Sequence, residues 1–91
     1  MSVITRYKLE NVKQELKQTE LMLMLKYREL HIIGQSVRAY DGQLLPNQLV
    51  EDIESIRIAI NSLRTKREGL LEQITSLNIE LTKGEEYNVS I

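Results

Sequence analysis

The chain has 91 residues, enough for one small domain, with 42% hydrophobic and 27% charged residues and a formal net charge of −1. That balance argues against non-specific attraction to nucleic acid or to an anionic membrane as the main activity, since both draw on a basic surplus. With no cysteine there is no disulfide framework, no thiolate metal site and no cysteine nucleophile.

Leu, Ile, Glu, Lys, Arg and Gln dominate, Gly and Pro are scarce, and the aromatics are four tyrosines. This is the composition of long helices. The N-terminal stretch MSVITRYKLENV lacks the apolar core of a signal peptide. No apolar run reaches the roughly 18 residues of a membrane span. The expectation is a cytoplasmic protein without membrane contact.

Helix 1 is predicted over about 3–40, with Ser2 or Thr5 suited to its N-cap. Leu9, Val12, Leu16, Thr19, Leu23, Lys26, Leu30, Ile33, Val37 and Tyr40 recur at alternating spacings of three and four. Eight of these ten are apolar, which is a heptad seam. Gly34 lies inside the helix, where it costs about 1 kcal/mol relative to Ala and marks a bend or a close helix crossing.

The stretch YDGQLLPNQ, residues 40–48, separates the seams, with the loop proper at 41–46. Asp41-Gly42 is a turn signal, and Gly42 can take the positive φ that ends a helix. Pro46 suits the first turn of the next helix, where its missing N–H costs nothing. Asn47 is a rival cap.

Helix 2 is predicted over about 47–83, opening with Glu51, Asp52 and Glu54, which suits the positive end of a helix dipole. Its seam is Leu49, Ile53, Ile56, Ile60, Leu63, Arg67, Leu70, Ile74, Leu77 and Leu81, nine of ten apolar. Gly84 after Lys83 reads as the stop signal. The tail, 84–91, has no regular pattern and is expected to be flexible or docked.

The fold class is therefore all-α: residues 1–91 form a single antiparallel two-helix hairpin, a coiled coil. Pairing around the loop sets Val37 beside Ile53, Leu30 beside Ile60, Leu23 beside Arg67, Leu16 beside Ile74 and Leu9 beside Leu81. Three seam positions are polar, namely Thr19, Lys26 and Arg67, and all fall in the middle third of the rod. They are candidates for fixing register or specificity, or, for Lys26 and Arg67, long side chains reaching the edge to pair with Glu20, Glu29, Glu68 or Glu72.

Residues 20–27, ELMLMLKY, hold five consecutive apolar side chains, more than one seam can bury. Leu23 belongs to the seam. Leu21, Leu25 and Ile32 make a second face, with Met24 and Tyr27 to one side. The facing segment RTKREGL, residues 64–70, is too charged to cover them. An isolated two-helix hairpin is marginal, and exposed Leu, Met and Ile clusters mark interaction sites. The expected interface is Leu21, Met22, Met24, Leu25 and Ile32, with Ile58 and Leu71 as candidate partners. The simplest assembly is a twofold dimer of hairpins forming a four-helix bundle.

No catalytic, cofactor-binding or metal-binding residues are expected. His31 is the only histidine and has no neighbours to complete a zinc set of three or four ligands. The carboxylates lie on a rod without an evident pocket. The function expected is a small non-enzymatic protein–protein interaction module, whether adaptor, inhibitor or assembly subunit, working through oligomerised helices with itself and with another protein. Two alternatives are a nucleic-acid-binding dimer using the basic residues of helix 1 with Arg64–Arg67, and a client-holding chaperone. The first is disfavoured by the interspersed Glu10, Glu15, Glu68 and Glu72.

Overall fold

A computed structural model of the protein describes residues 2–40 and 42–90, with side chains placed for 3–40 and 42–83. The described residues form two helices, α1 (Ser2–Arg38) and α2 (Asn47–Ser90), and no strand. Their 37 and 44 residues correspond to roughly 55 and 66 Å of helix. They lie antiparallel against each other in a rod of 73 × 15 × 14 Å.

The reason is the heptad spacing. Every seam residue between Leu9 and Leu81 predicted from the 3–4 pattern is buried or half-buried, and most residues between seam positions are exposed. Leu9, Leu23, Ile56, Ile60 and Leu70 are the buried apolar residues among those described. Leu23, Ile56 and Ile60 form one cluster, with Leu30, Ile33 and Leu63 packed on it. Burying one such side chain contributes about 1.5–3 kcal/mol. The register agrees with the predicted pairing at two places: Leu23 shares a groove with Arg67, and Val37 shares one with Ile53.

The turn is built from ordinary parts. The amides of Ala39 and Tyr40 donate to the carbonyls of Ser36 and Val37, at 3.2 and 3.1 Å, tightening the last turn of α1. The Gln43 amide then donates to the Tyr40 carbonyl at 2.8 Å. Gly42, third in that turn, has φ of +81°, which a type II turn requires at this position and which favours glycine. Asp41 lies outside the described residues. On the far side, the amides of Leu49 and Val50 donate to the Pro46 carbonyl, at 3.1 and 3.2 Å. Pro46 thus precedes α2 and starts its hydrogen-bond ladder, one position earlier than its predicted place inside the first turn.

Four details differ from the sequence expectations. α1 ends at Arg38, not residue 40. α2 runs through Gly84 to Ser90 instead of stopping at Lys83; one helical glycine costs only about 1 kcal/mol, which surrounding residues can outweigh. The first turn of α2 carries no acid, so Glu51 and Asp52 sit a turn too far in for most of the dipole's benefit. A Cβ built at Gly34 would meet nothing within 4 Å, so no close crossing with α2 demands glycine there.

Candidate interaction surface

The three polar seam residues behave differently. Thr19 is 2% exposed, and its hydroxyl donates to the Glu15 carbonyl at 2.8 Å. Bonding back along the helix lets a polar residue occupy the seam without an orphaned donor. Lys26 carries its ammonium to the rim, 3.3 Å from Glu29 Oε2, with its stem lying along the seam. Arg67 is half-buried, and its Nε is buried without a hydrogen-bond partner. Arg67 makes no ion pair with the glutamates expected for it, although it lines a groove with Glu20, Leu23, Met24 and Tyr27.

Two antiparallel helices leave two edges where they meet, and these are chemically distinct. On the first edge lie residues that follow a seam position. Met24 and Tyr27 line one groove with Glu20 and Arg67, and Gly34, Arg38 and Arg57 line another beside Val37 and Ile53. Arginine dominates the charge there. On the second edge lie residues that precede a seam position, because a step of one residue turns about 100° the other way. Lys8, Asn11, Gly69, Glu72, Gln73 and Ser76 line that groove with Val12 and Leu77.

The seven residues named as candidate interface are all exposed, between 45% for Leu25 and Leu71 and 63% for Ile58. They do not share one face. Residues seven apart lie in one row of a heptad helix, so Met22 continues the row of Lys8, and Leu25 and Ile32 continue that of Asn11, along the second edge. Met24 lines the first edge, and Leu71 stands in the row of Arg57 on the same side. Leu21 lies on the back of α1. Ile58 lies on the back of α2, where it borders a groove with Val50 and Arg57.

The basic stretch of α2 is likewise divided. Arg64 and Lys66 are exposed but two residues apart, which turns them about 200° from each other. On α1, Lys13 Nζ lies 3.8 Å from Glu10 Oε1. His31 is exposed, with its Nε2 3.3 Å from Gln35 Nε2. Among the described residues no three His, Cys, Asp or Glu side chains are gathered as metal ligands, and no helix is long and apolar enough to cross a membrane.

Comparison with protein-family models, with curated proteins and with solved structures found no match. The surface must therefore be read from its own chemistry.

The sequence reading passed over one row. On α2 the second edge carries Ser55, Ser62, Gly69 and Ser76, each seven residues from the last. The signal was present as a repeat of small uncharged residues, and it was hidden by the charged positions between them.

Proposed function

We infer that this chain is a non-enzymatic protein–protein interaction module that assembles with copies of itself into a helical bundle and presents helical surface to another protein, as adaptor, inhibitor or assembly subunit. The observation that carries this reading is the imbalance of the hairpin. Five apolar side chains are buried, whereas fourteen large apolar ones are exposed among the described residues. The exposed area, 7451 Å², exceeds by about 2,000 Å² what a compact monomer of 10.6 kDa presents by the usual mass scaling. Leu21, Met22, Met24 and Leu25 fall in one stretch at mid-rod, spread around α1, so an interface on either edge covers part of the surplus. Work inside the cytoplasm belongs to the same proposal.

Sedimentation equilibrium at micromolar concentration tests it. The reading expects a mass of at least two chains that does not fall steeply as salt is raised, because apolar association is little screened. A monomer at every concentration, with no protein partner recovered from the native cell, refutes it.

A further inference from the structure

We propose that the first edge of the hairpin is a docking trough for an acidic amphipathic helix of another protein. This rests on the interaction reading above and gives its foreign partner a surface and a chemistry.

Three observations carry it. The first is where the arginines stand. Of the six in the chain, Arg6, Arg38, Arg57 and Arg64 occupy the rows of this edge and Arg67 lines one of its grooves. Lys13 and Lys17 lie with them. These seven basic side chains outnumber the four acidic ones on the edge, Glu10, Glu20, Glu54 and Glu68, in a chain whose net charge is −1. Arg38, Arg57, Arg64 and Arg67 make no ion pair among the described residues, whereas Lys13 and Lys26 pair with Glu10 and Glu29. A guanidinium presents a planar fork that matches a carboxylate, so the complement of this edge is acidic. Each of the four glutamates lies one helical turn from a base of the edge. That interspersion fits a helix of patterned charge better than a uniform phosphate backbone.

The second observation is the spacing of the trough. Leu16, Leu23 and Leu30 line three successive grooves along this edge. They are seven residues apart, about 10 Å of helix. A partner helix repeats its side chains on the same period, so one apolar anchor per heptad enters each groove. An extended strand covers about 10 Å in three residues, and its successive anchors would point to opposite faces. The middle groove is walled by Met24 and Tyr27, which are 53% and 47% exposed. Leu23 stands beside Arg67 there, which puts Tyr27 about level with Arg64. Met, Tyr and Arg are the residues that protein interfaces favour, and Tyr and Arg dominate their binding energy.

The third observation is Arg67 itself. It occupies a seam position, and its Nε is buried without an acceptor, which costs the hairpin stability. No hydrogen bond or ion pair among the described residues offsets that loss. A packing rule broken without return inside the fold marks a residue kept for another purpose. Arg67 lines the middle groove, where a carboxylate of the partner meets it.

The test uses the full chain and a displayed library of helices of about 28 residues, four heptads, with leucine at 3–4 spacing and the outer positions varied among Glu, Gln and Lys. Selection on the parent chain is expected to enrich Glu beside the leucine seam. A selected peptide is then labelled and its affinity read by fluorescence anisotropy. Arg57→Glu with Arg64→Glu should weaken binding by about 10- to 30-fold. Lys8→Glu with Lys66→Glu makes the same change of charge at exposed positions of the second edge. It should alter binding by less than about 3-fold, because the rod is 15 × 14 Å across and charges are screened over about 8 Å at physiological ionic strength. Arg67→Met should weaken binding by about 3- to 10-fold while the hairpin melts higher, which separates lost binding from a lost fold. Circular dichroism checks that every variant is helical. Enrichment of Lys or Gln, or equal losses from the two double variants, overturns the proposal. Displacement of the peptide by a DNA duplex at physiological salt also overturns it, by making the edge a nucleic-acid surface. If Arg57→Glu with Arg64→Glu lowers the mass seen in sedimentation, the edge joins copies of this chain, and the proposal fails while self-association stands. An oligomeric parent that selects no helix refutes the trough and leaves the interaction reading resting on another surface.

Discussion

Replacing Arg67 with Met should make the hairpin more stable, although it removes a charged residue from the centre of the molecule. Arg67 Nε is buried and finds no acceptor. A donor in that state forfeits its hydrogen bond to water, a cost of about 1–3 kcal/mol. The arginine stem already covers part of the seam, so Met adds little apolar contact beyond what is present, and the gain is essentially the lost penalty. A domain of this size shifts its midpoint by roughly 4–8 °C per kcal/mol, so thermal unfolding followed by far-ultraviolet circular dichroism will resolve it. Melting at several protein concentrations separates this effect from association. Arg67→Lys is the companion variant: it keeps the charge, deletes the orphaned Nε and lets the ammonium reach the rim, so it should recover part of the gain. A melting temperature at or below the parent's for Arg67→Met would show that the guanidinium is satisfied in solution, and the reasoning would be wrong.

Leu23→Ala should cost about 2–5 kcal/mol in urea unfolding, because the side chain is 3% exposed at the centre of the core cluster. Gly42→Ala should cost about 1–2 kcal/mol, since φ of +81° places a Cβ in the left-handed region; a D-alanine introduced by synthesis should recover the loss. Gly34→Ala has open space for its methyl group and lies on the first edge, so it should raise the melting temperature by an amount equivalent to about 1 kcal/mol without altering sedimentation. The double change Leu21→Glu with Leu25→Glu should reduce oligomer mass far more than helix content; an unchanged mass would exclude the ELMLMLKY segment from the interface.

What the sequence made legible was whatever a period of seven controls. The seam from Leu9 to Leu81, the antiparallel pairing and the Gly42 turn all follow from spacing and from local backbone preference, and each is found where those rules put it. Gly84 misled because a stop signal is a local tendency, and a helix already extended by many hydrogen bonds can continue through it. The buried Arg67 Nε without an acceptor was not legible, because pairing with a glutamate depends on side-chain geometry that composition does not reveal. The candidate surface was visible as surplus leucine and methionine. Its division between two edges and the backs of the helices needed the second helix in place, since each edge is made half from α1 and half from α2.

A cross-section of 15 × 14 Å leaves the rod without an interior in the usual sense: every rung is one side chain deep, and each touches only the rungs above and below. Stability then accumulates along a line, much as in repeat proteins. In such a molecule length is a free variable and phase is not. Cutting seven residues from α1 and the seven level with them from α2 shortens the rod by about 10 Å and returns every remaining side chain to its seam. Cutting one residue from either helix rotates all that follows by about 100° and turns the seam out to solvent. Relatives of this chain are therefore expected to differ in length by matched heptads.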